Sequence, residues 1–256
     1  GSKTARARLG ALGEADPTEA LFARFRPDRD EVLKSYDRAR WNDSVVRVLD
    51  FQIMRVFPDG SQESLTHELL HLKDLDGCKR EGTQQVPGFT EKLATIKPAK
   101  EPGGQDTELE PVEVDGEYVM PALKPGDFLE RVYRDHEGAP EEGLQGLGSW
   151  RFASTDEPYH VSRYVVILPR GHGLEFVQRN YTGTHEVLVE GDLEIHVFEL
   201  RDQDKVELQP GAPPANWILP WVQFGKRRDV ADVMRRVLFE NARLAARPTP
   251  EIEALA

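Results

Sequence analysis

The sequence predicts a mainly β fold: an antiparallel β-sandwich-type domain with short helical flanks at its N- and C-terminal ends. Two observations carry this. Between Val45 and Leu200, apolar residues recur at every second position in short runs, as half-buried strands require. Gly, Pro and Asp clusters cut those runs at the spacing of a sandwich or distorted barrel, not of an α/β layout.

Residues 1–40 read as a helical lead-in. In ADPTEALFARF, Asp16 can cap a helix, Pro17 fits its first position and Glu19 completes a capping box. Leu21, Phe22 and Phe25 then form one apolar face. With ARARLGALGEA before it, the segment also looks like the tail of a helical-repeat array, the alternative to an ordinary lead-in.

Residues 41–225 form the β domain. VVRVLDFQIMRVF, from Val45, alternates, and PDGS at 58–61 is a tight-turn signal before a strand carrying His67. Further predicted strands are 79–85, 90–96, 112–120, 128–134, 150–154, 159–168, 174–178, 186–189 and 193–200. The Pro/Gly/acidic stretches 97–111 and 137–148 read as loops. Residues 226–256 return to helical period. Val230, Val233, Met234, Val237, Leu238 and Leu244 share a face behind a capping Asp229, and Pro248 ends that helix before Thr249-Pro250 opens another.

Composition narrows the function classes. The balance of 33 basic against 45 acidic side chains, a net charge of −12, argues against nucleic-acid binding or an anionic-membrane surface. No apolar run approaches the ~18 residues of a membrane-spanning helix. A single cysteine, Cys78, rules out an intramolecular disulfide and a Cys-rich metal cluster. Gly1-Ser2 reads as a cloning remnant, so the missing signal peptide carries no weight.

Several short motifs recur in a fixed order: VFPDGS, the strand with His67, ATIKP at 94–98, MPALKPGD at 120–127, EPYHVSRYVVILP at 157–169 and LPWVQ at 219–223. In this order the chain resembles the bacterial β domain of unknown function that precedes transglutaminase-like cores. The resemblance covers roughly residues 45 to 225 and departs where Ala99 and a longer acidic loop follow ATIKP. It implies a non-catalytic role and a papain-like core downstream, with Cys, His and Asp beyond Ala256. Residues 226–256 would be the linker into that core. It also implies a bacterial source, with the cell envelope or periplasm favoured over the cytoplasm. The expected partners are that core and a protein partner.

The sharpest rival is HELLH at 67–71, the H-E-x-x-H of zinc peptidases. That chemistry needs a helix, because strand residues four apart stand about 13 Å apart and cannot share one ion. Ser64 and the helix formers of SLTHELLHLKDLDG leave helix propensity open, but the PDGS turn favours a strand. On a strand Glu68 has no metal-bound water to activate, so Glu68→Gln should leave the fold unchanged. GLQGLG at 143–148 lacks the strand–helix frame of a dinucleotide site and reads as a loop. Asp202/Asp204 and the Glu108–Asp115 cluster have no fixed cation-loop spacing and read as solvated loops. Cys78, in DGCKREG, reads as a structural thiol with no helix start behind it. His160, His172, His185 and His196 are scattered and suggest no site by themselves. Trp217 and Trp221 read first as packing against the domain core or the next domain. Exposed aromatics around Trp150, Tyr159 or Trp217 would instead mark a binding module for an envelope polymer or protein. The sequence therefore assigns no catalytic, cofactor or metal residue.

Overall fold

A computed structural model of the chain describes residues 16–85, 89–99, 104–139 and 148–226. The helices predicted from Asp229 onward, residues 1–15 and most of GLQGLG lie outside the described residues.

The fold is mainly β. Helix α1 (Pro17–Phe25) begins as its sequence asks, with the Asp16 side chain accepting the Thr18 N–H at 2.8 Å and Pro17 in the first turn. Glu19 reaches Arg134 at 2.7 Å. Helix α2 (Arg29–Ser35) is capped by Asp28, which accepts from Asp30 and Glu31. Strands β1 (Val45–Val56) and β2 (Gln62–Leu72) follow as a long antiparallel hairpin around the Pro58–Gly60 turn. A short helix α3 (Leu75–Arg80) and strand β3 (Thr83–Gln84) replace the strand predicted at 79–85. The reason is local. Asp74 caps α3 by accepting the Gly77 N–H at 2.8 Å, and Gly77 packs so tightly that a Cβ there would lie 2.2 Å from the Ser44 carbonyl oxygen.

Next come β4 (Phe89–Lys97), β5 (Thr107–Leu109), β6 (Val112–Val114) and β7 (Glu117–Val119). The predicted 112–120 strand is thus a tight hairpin. Asp115 and Gly116 both take positive φ (52° and 81°), the conformation a two-residue Asp-Gly turn needs. The remaining strands are β8 (Phe128–Glu137), β9 (Gly148–Arg151), β10 (Tyr159–Pro169), β11 (Leu174–Arg179), β12 (Thr184–Glu190) and β13 (Leu193–Gln203). Helix α4 (Ala215–Ile218) leads into β14 (Trp221–Lys226), a strand the Pro-rich exit segment conceals.

Eight strands form the central sheet in the order β12-β13-β10-β1-β2-β8-β4-β5. All its neighbours are antiparallel except β1 and β10, which pair in parallel at the middle, so the sheet is mostly antiparallel. Two three-stranded sheets, β11-β14-β9 and β3-β7-β6, complete the fold.

The faces of the central sheet are unlike. On one, α1 and α2 cover a continuous core in which Phe22, Val32, Tyr36 and Trp41 meet Leu49, Phe51, Ile53 and Leu69. On the other there are two separate apolar clusters. One joins Tyr164, Val166 and Phe198 to Phe152, Val222 and Phe224 under the β9/β11/β14 sheet. The second joins Leu70, Leu72 and Leu129 to Cys78 and Met120 near α3. Between the two runs a seam of charge.

Candidate functional site

The seam begins with a β-bulge. The β1–β2 register shifts between Arg47 and Leu49, and the extra residue lets Arg47 and Asp50 meet although they are three apart on one strand. Arg47 Nη1 lies 3.2 Å from Asp50 Oδ1, and Arg47 is also bonded to Glu68 opposite Asp50 on β2. Its Nε and Nη2 donate to Glu157 Oε1 at 3.1 and 2.9 Å. Glu157 accepts in turn from Arg80 at 2.8 Å, and Glu68 pairs with Arg131 at 2.9 Å. Three buried carboxylates thus share one partly buried guanidinium, with Arg80 and Arg131 pairing to Glu157 and Glu68 beside it.

Burial pushes the Asp50 carboxyl up to about 7, with Glu68 adding to the rise and Arg47 and Ser162 opposing it. Ser162 donates to Asp50 at 3.1 Å and accepts the Trp150 indole N–H at 3.0 Å. Above this floor is an open cavity of about 420 Å³ lined by Thr66, Tyr133, Ser149, Trp150, Arg151 and Tyr159 as well as the charged residues. It combines aromatic walls with hydroxyl and guanidinium donors, the chemistry of a polar ligand site.

The same strand decides the HELLH question. Gln62–Leu72 is a strand, so His67 and His71 face the helices while Glu68 faces the seam. His67 Nδ1 accepts from Arg26 at 3.2 Å and its Nε2 meets Glu130 Oε1 at 2.8 Å. Burial holds His67 below its ordinary value, against the pull of Glu130. Burial opposes ionisation of Glu130 too, but hydrogen bonds from His67 and Lys92 outweigh it and hold that carboxyl down at about 2. His71 bonds Tyr36 at 2.9 Å and stacks on Phe128. Burial, helped by Arg38 and Lys73, lowers its imidazole to about 4. The two imidazoles and the glutamate are therefore not arranged as a zinc peptidase requires. Glu68 is instead a buried ion-pair partner of Arg47 and Arg131, so Glu68→Gln bears on stability.

The scattered histidines do acquire partners. His160 Nε2 lies 3.0 Å from Ser35 Oγ and its Nδ1 lies 2.8 Å from Asp202 Oδ1, the order of an acyl-transfer triad. Ser35, however, ends α2, where helix carbonyls disfavour a developing anion, and its hydroxyl donates to Val32 O at 2.9 Å. The arrangement ties α2 to the sheet. Asp204 accepts from Trp41, and Glu108 pairs with Arg29 and Lys92, while Asp204, Glu108, Glu110, Glu113 and Asp115 are all exposed, as solvated acidic residues are. Cys78 is buried inside α3, not ahead of a helix, and burial raises its thiol further from reactivity. Trp150 is half-buried and Tyr159 buried, whereas Trp217 is 57% exposed with Arg179 over its ring. Trp217 thus does not pack into the core. Sequence reasoning missed the seam; its one signal was Arg47 and Asp50, two opposite charges three apart in strand β1.

No protein-family profile matches the sequence, and no curated protein sequence matches it. Among solved structures, the chain is similar to one described as a "putative protease" from Parabacteroides distasonis. The TM-score is 0.59 at 14% identity, over 72% of this chain and 40% of that one. An M1 zinc metallopeptidase from Deinococcus radiodurans also matches, at TM-score 0.35 and 12% identity, over 71% of this chain and 42% of that one. The first likeness is one of fold, and the second is too slight to carry an argument. The chain spans about two fifths of the length of each. No described helix is long and apolar enough to cross a membrane.

Proposed function

We propose that the chain is a non-catalytic accessory domain of a larger bacterial protein, holding or presenting substrate to a transglutaminase-like core. The observation that carries this reading is the seam, whose charges are committed to one another. A catalytic site keeps a nucleophile within reach of a base. Here Ser162 is fully buried and engaged by Asp50 and Trp150. The rim offers what a positioning surface needs: Ser149, Arg151, Thr66 and Tyr133 around an open cavity suited to an extended polar chain such as a peptide. The fold likeness to part of a longer protein described as a "putative protease" is consistent with a supporting part in such an assembly.

A second reading, a binding module for an envelope polymer or protein, draws on exposed Trp217. The zinc-peptidase reading has no such support, since HELLH is divided between two faces of the sheet.

The test compares the purified chain with the full-length gene product in amide hydrolysis and transamidation of a glutamine-containing peptide. The accessory reading expects no turnover by the chain alone. It expects thiol-dependent turnover by the full-length protein that survives Cys78→Ser. Turnover by the isolated chain, or its loss in Cys78→Ser with the fold intact, would overturn the reading.

A further inference from the structure

Toward the end of β10 opposite Tyr159 and the seam, β13 carries Glu194 and His196 two residues apart, hence on the same side of the strand. The turn from β10 to β11 brings His172 to them. Nε2 of His172 lies 3.4 Å and Nε2 of His196 lies 2.7 Å from the same oxygen, Glu194 Oε1. One ligand atom from each of the three lies within 4.8 Å of the other two. Tetrahedral zinc with bonds of about 2.0–2.1 Å needs its ligand atoms about 3.3 Å apart. The observed separations bracket that value. We infer that His172, Glu194 and His196 form a binding site for a first-row divalent ion, zinc foremost. The inference is independent of the accessory-domain reading.

The surroundings are those of a built site. The His196 ring stacks on Phe176, with centroids 4.1 Å apart, and its Nδ1 lies 3.0 Å from His185 Nε2. His185 is itself stacked on Phe198. A metal-bound imidazole is oriented by a partner on its other nitrogen, and His185 supplies one. His172 also lines a cavity of about 300 Å³ shared with Phe57, Gln62, Arg170 and Leu174. Two imidazoles and a carboxylate are a donor set that leaves the fourth zinc position to water or to a ligand from that cavity.

Protons must move for the ion to bind. Leu174 N–H donates to His172 Nδ1 at 2.8 Å, so neutral His172 carries its proton on Nε2 and donates it to Glu194. An ion at Nε2 sends that proton to Nδ1 and breaks the Leu174 bond. At His196 the proton moves to Nδ1 and is donated to His185 Nε2, whose own proton moves to His185 Nδ1, the nitrogen that lies 3.4 Å from Gln178 Nε2. The turn holding His172 has Gly171 and Gly173 on either side, both at positive φ (75° and 64°). Those backbone conformations favour glycine, so the turn is the part of the site best able to adjust.

The experiment is a Zn²⁺ titration of the untagged, metal-stripped chain by calorimetry, with the Leu174 amide followed by NMR. The expected result is saturation at about one ion per chain, with the Leu174 resonance shifting as the ion binds. His185→Ala should weaken binding by about 10–100-fold, and His172→Ala and Glu194→Gln by more. Both of these positions are only partly buried, so the variants keep the fold testable by circular dichroism. Absence of saturable binding would overturn the proposal. So would binding undiminished in His172→Ala or Glu194→Gln, binding lost only in His71→Ala, or a Leu174 amide that does not respond.

Discussion

The two faces of the central sheet solve burial differently. The helix-covered face is one apolar core into which His67 and His71 are admitted as neutral groups. The opposite face is two smaller cores kept apart by Arg47, Asp50, Glu68 and Glu157. An apolar bridge across that gap would be at least as stable, because buried ion pairs seldom exceed well-packed hydrophobic residues in stability. A seam of charge under an open cavity is therefore the feature on which the proposed positioning role rests.

The largest effect expected is on the seam. Arg47→Met removes the guanidinium shared by three nearly buried carboxylates and should lower unfolding free energy by about 3–5 kcal/mol in urea denaturation. A loss under about 1 kcal/mol would mean that the seam is more hydrated than its burial implies. On the other face, Leu69→Ala should cost about 2–5 kcal/mol by cavity formation, with no change in pH dependence.

The faces should also titrate with opposite sign. Asp50, raised to about 7 in the fold from a reference of 3.8, keeps its proton there while the unfolded chain loses it. Its contribution is present below about pH 4 and lost as pH rises toward 7. His71, lowered to about 4 from 6.5, does the reverse: the unfolded chain binds the extra proton, so stability rises with pH between about 4 and 6.5. At about 1.4 kcal/mol per pH unit, the Asp50 contribution is roughly 4 kcal/mol and the His71 contribution roughly 3 kcal/mol. Asp50→Asn should steepen the rise of stability with pH across this window, and His71→Gln should flatten or invert it. Matching slopes in the two variants would break the comparison. The smallest effect is expected at Trp217→Ala, within about 0.5 kcal/mol, since the ring is mostly exposed. A larger loss would show that Trp217 packs into the domain.

Much of this fold was legible. The alternation of β1, β10 and β13 and the Asp16-Pro17 start of α1 follow directly from residue pattern and cap chemistry. Strand β2 was harder because all eleven of its positions are buried, some against apolar neighbours and some against polar ones, so no clean alternation survives. Strand β14 was hidden by the flanking Pro220 and the internal Gly225, and the parallel β1–β10 pairing by more than a hundred residues of intervening chain. The seam depends on that same long-range pairing, which brings Glu157 and Ser162 to Arg47 and Asp50. Only Glu194-x-His196, at strand spacing, announced part of a cluster locally.

The central claim is that Glu68 in HELLH is an ion-pair partner within the charged seam and activates no water. Glu68→Gln in the full-length protein tests it most directly, with turnover and unfolding free energy measured on the same sample. The account predicts retained turnover and a stability loss of about 1–3 kcal/mol, as Arg47 and Arg131 lose a charged acceptor. Abolished turnover with unchanged stability would contradict it and make Glu68 a catalytic residue.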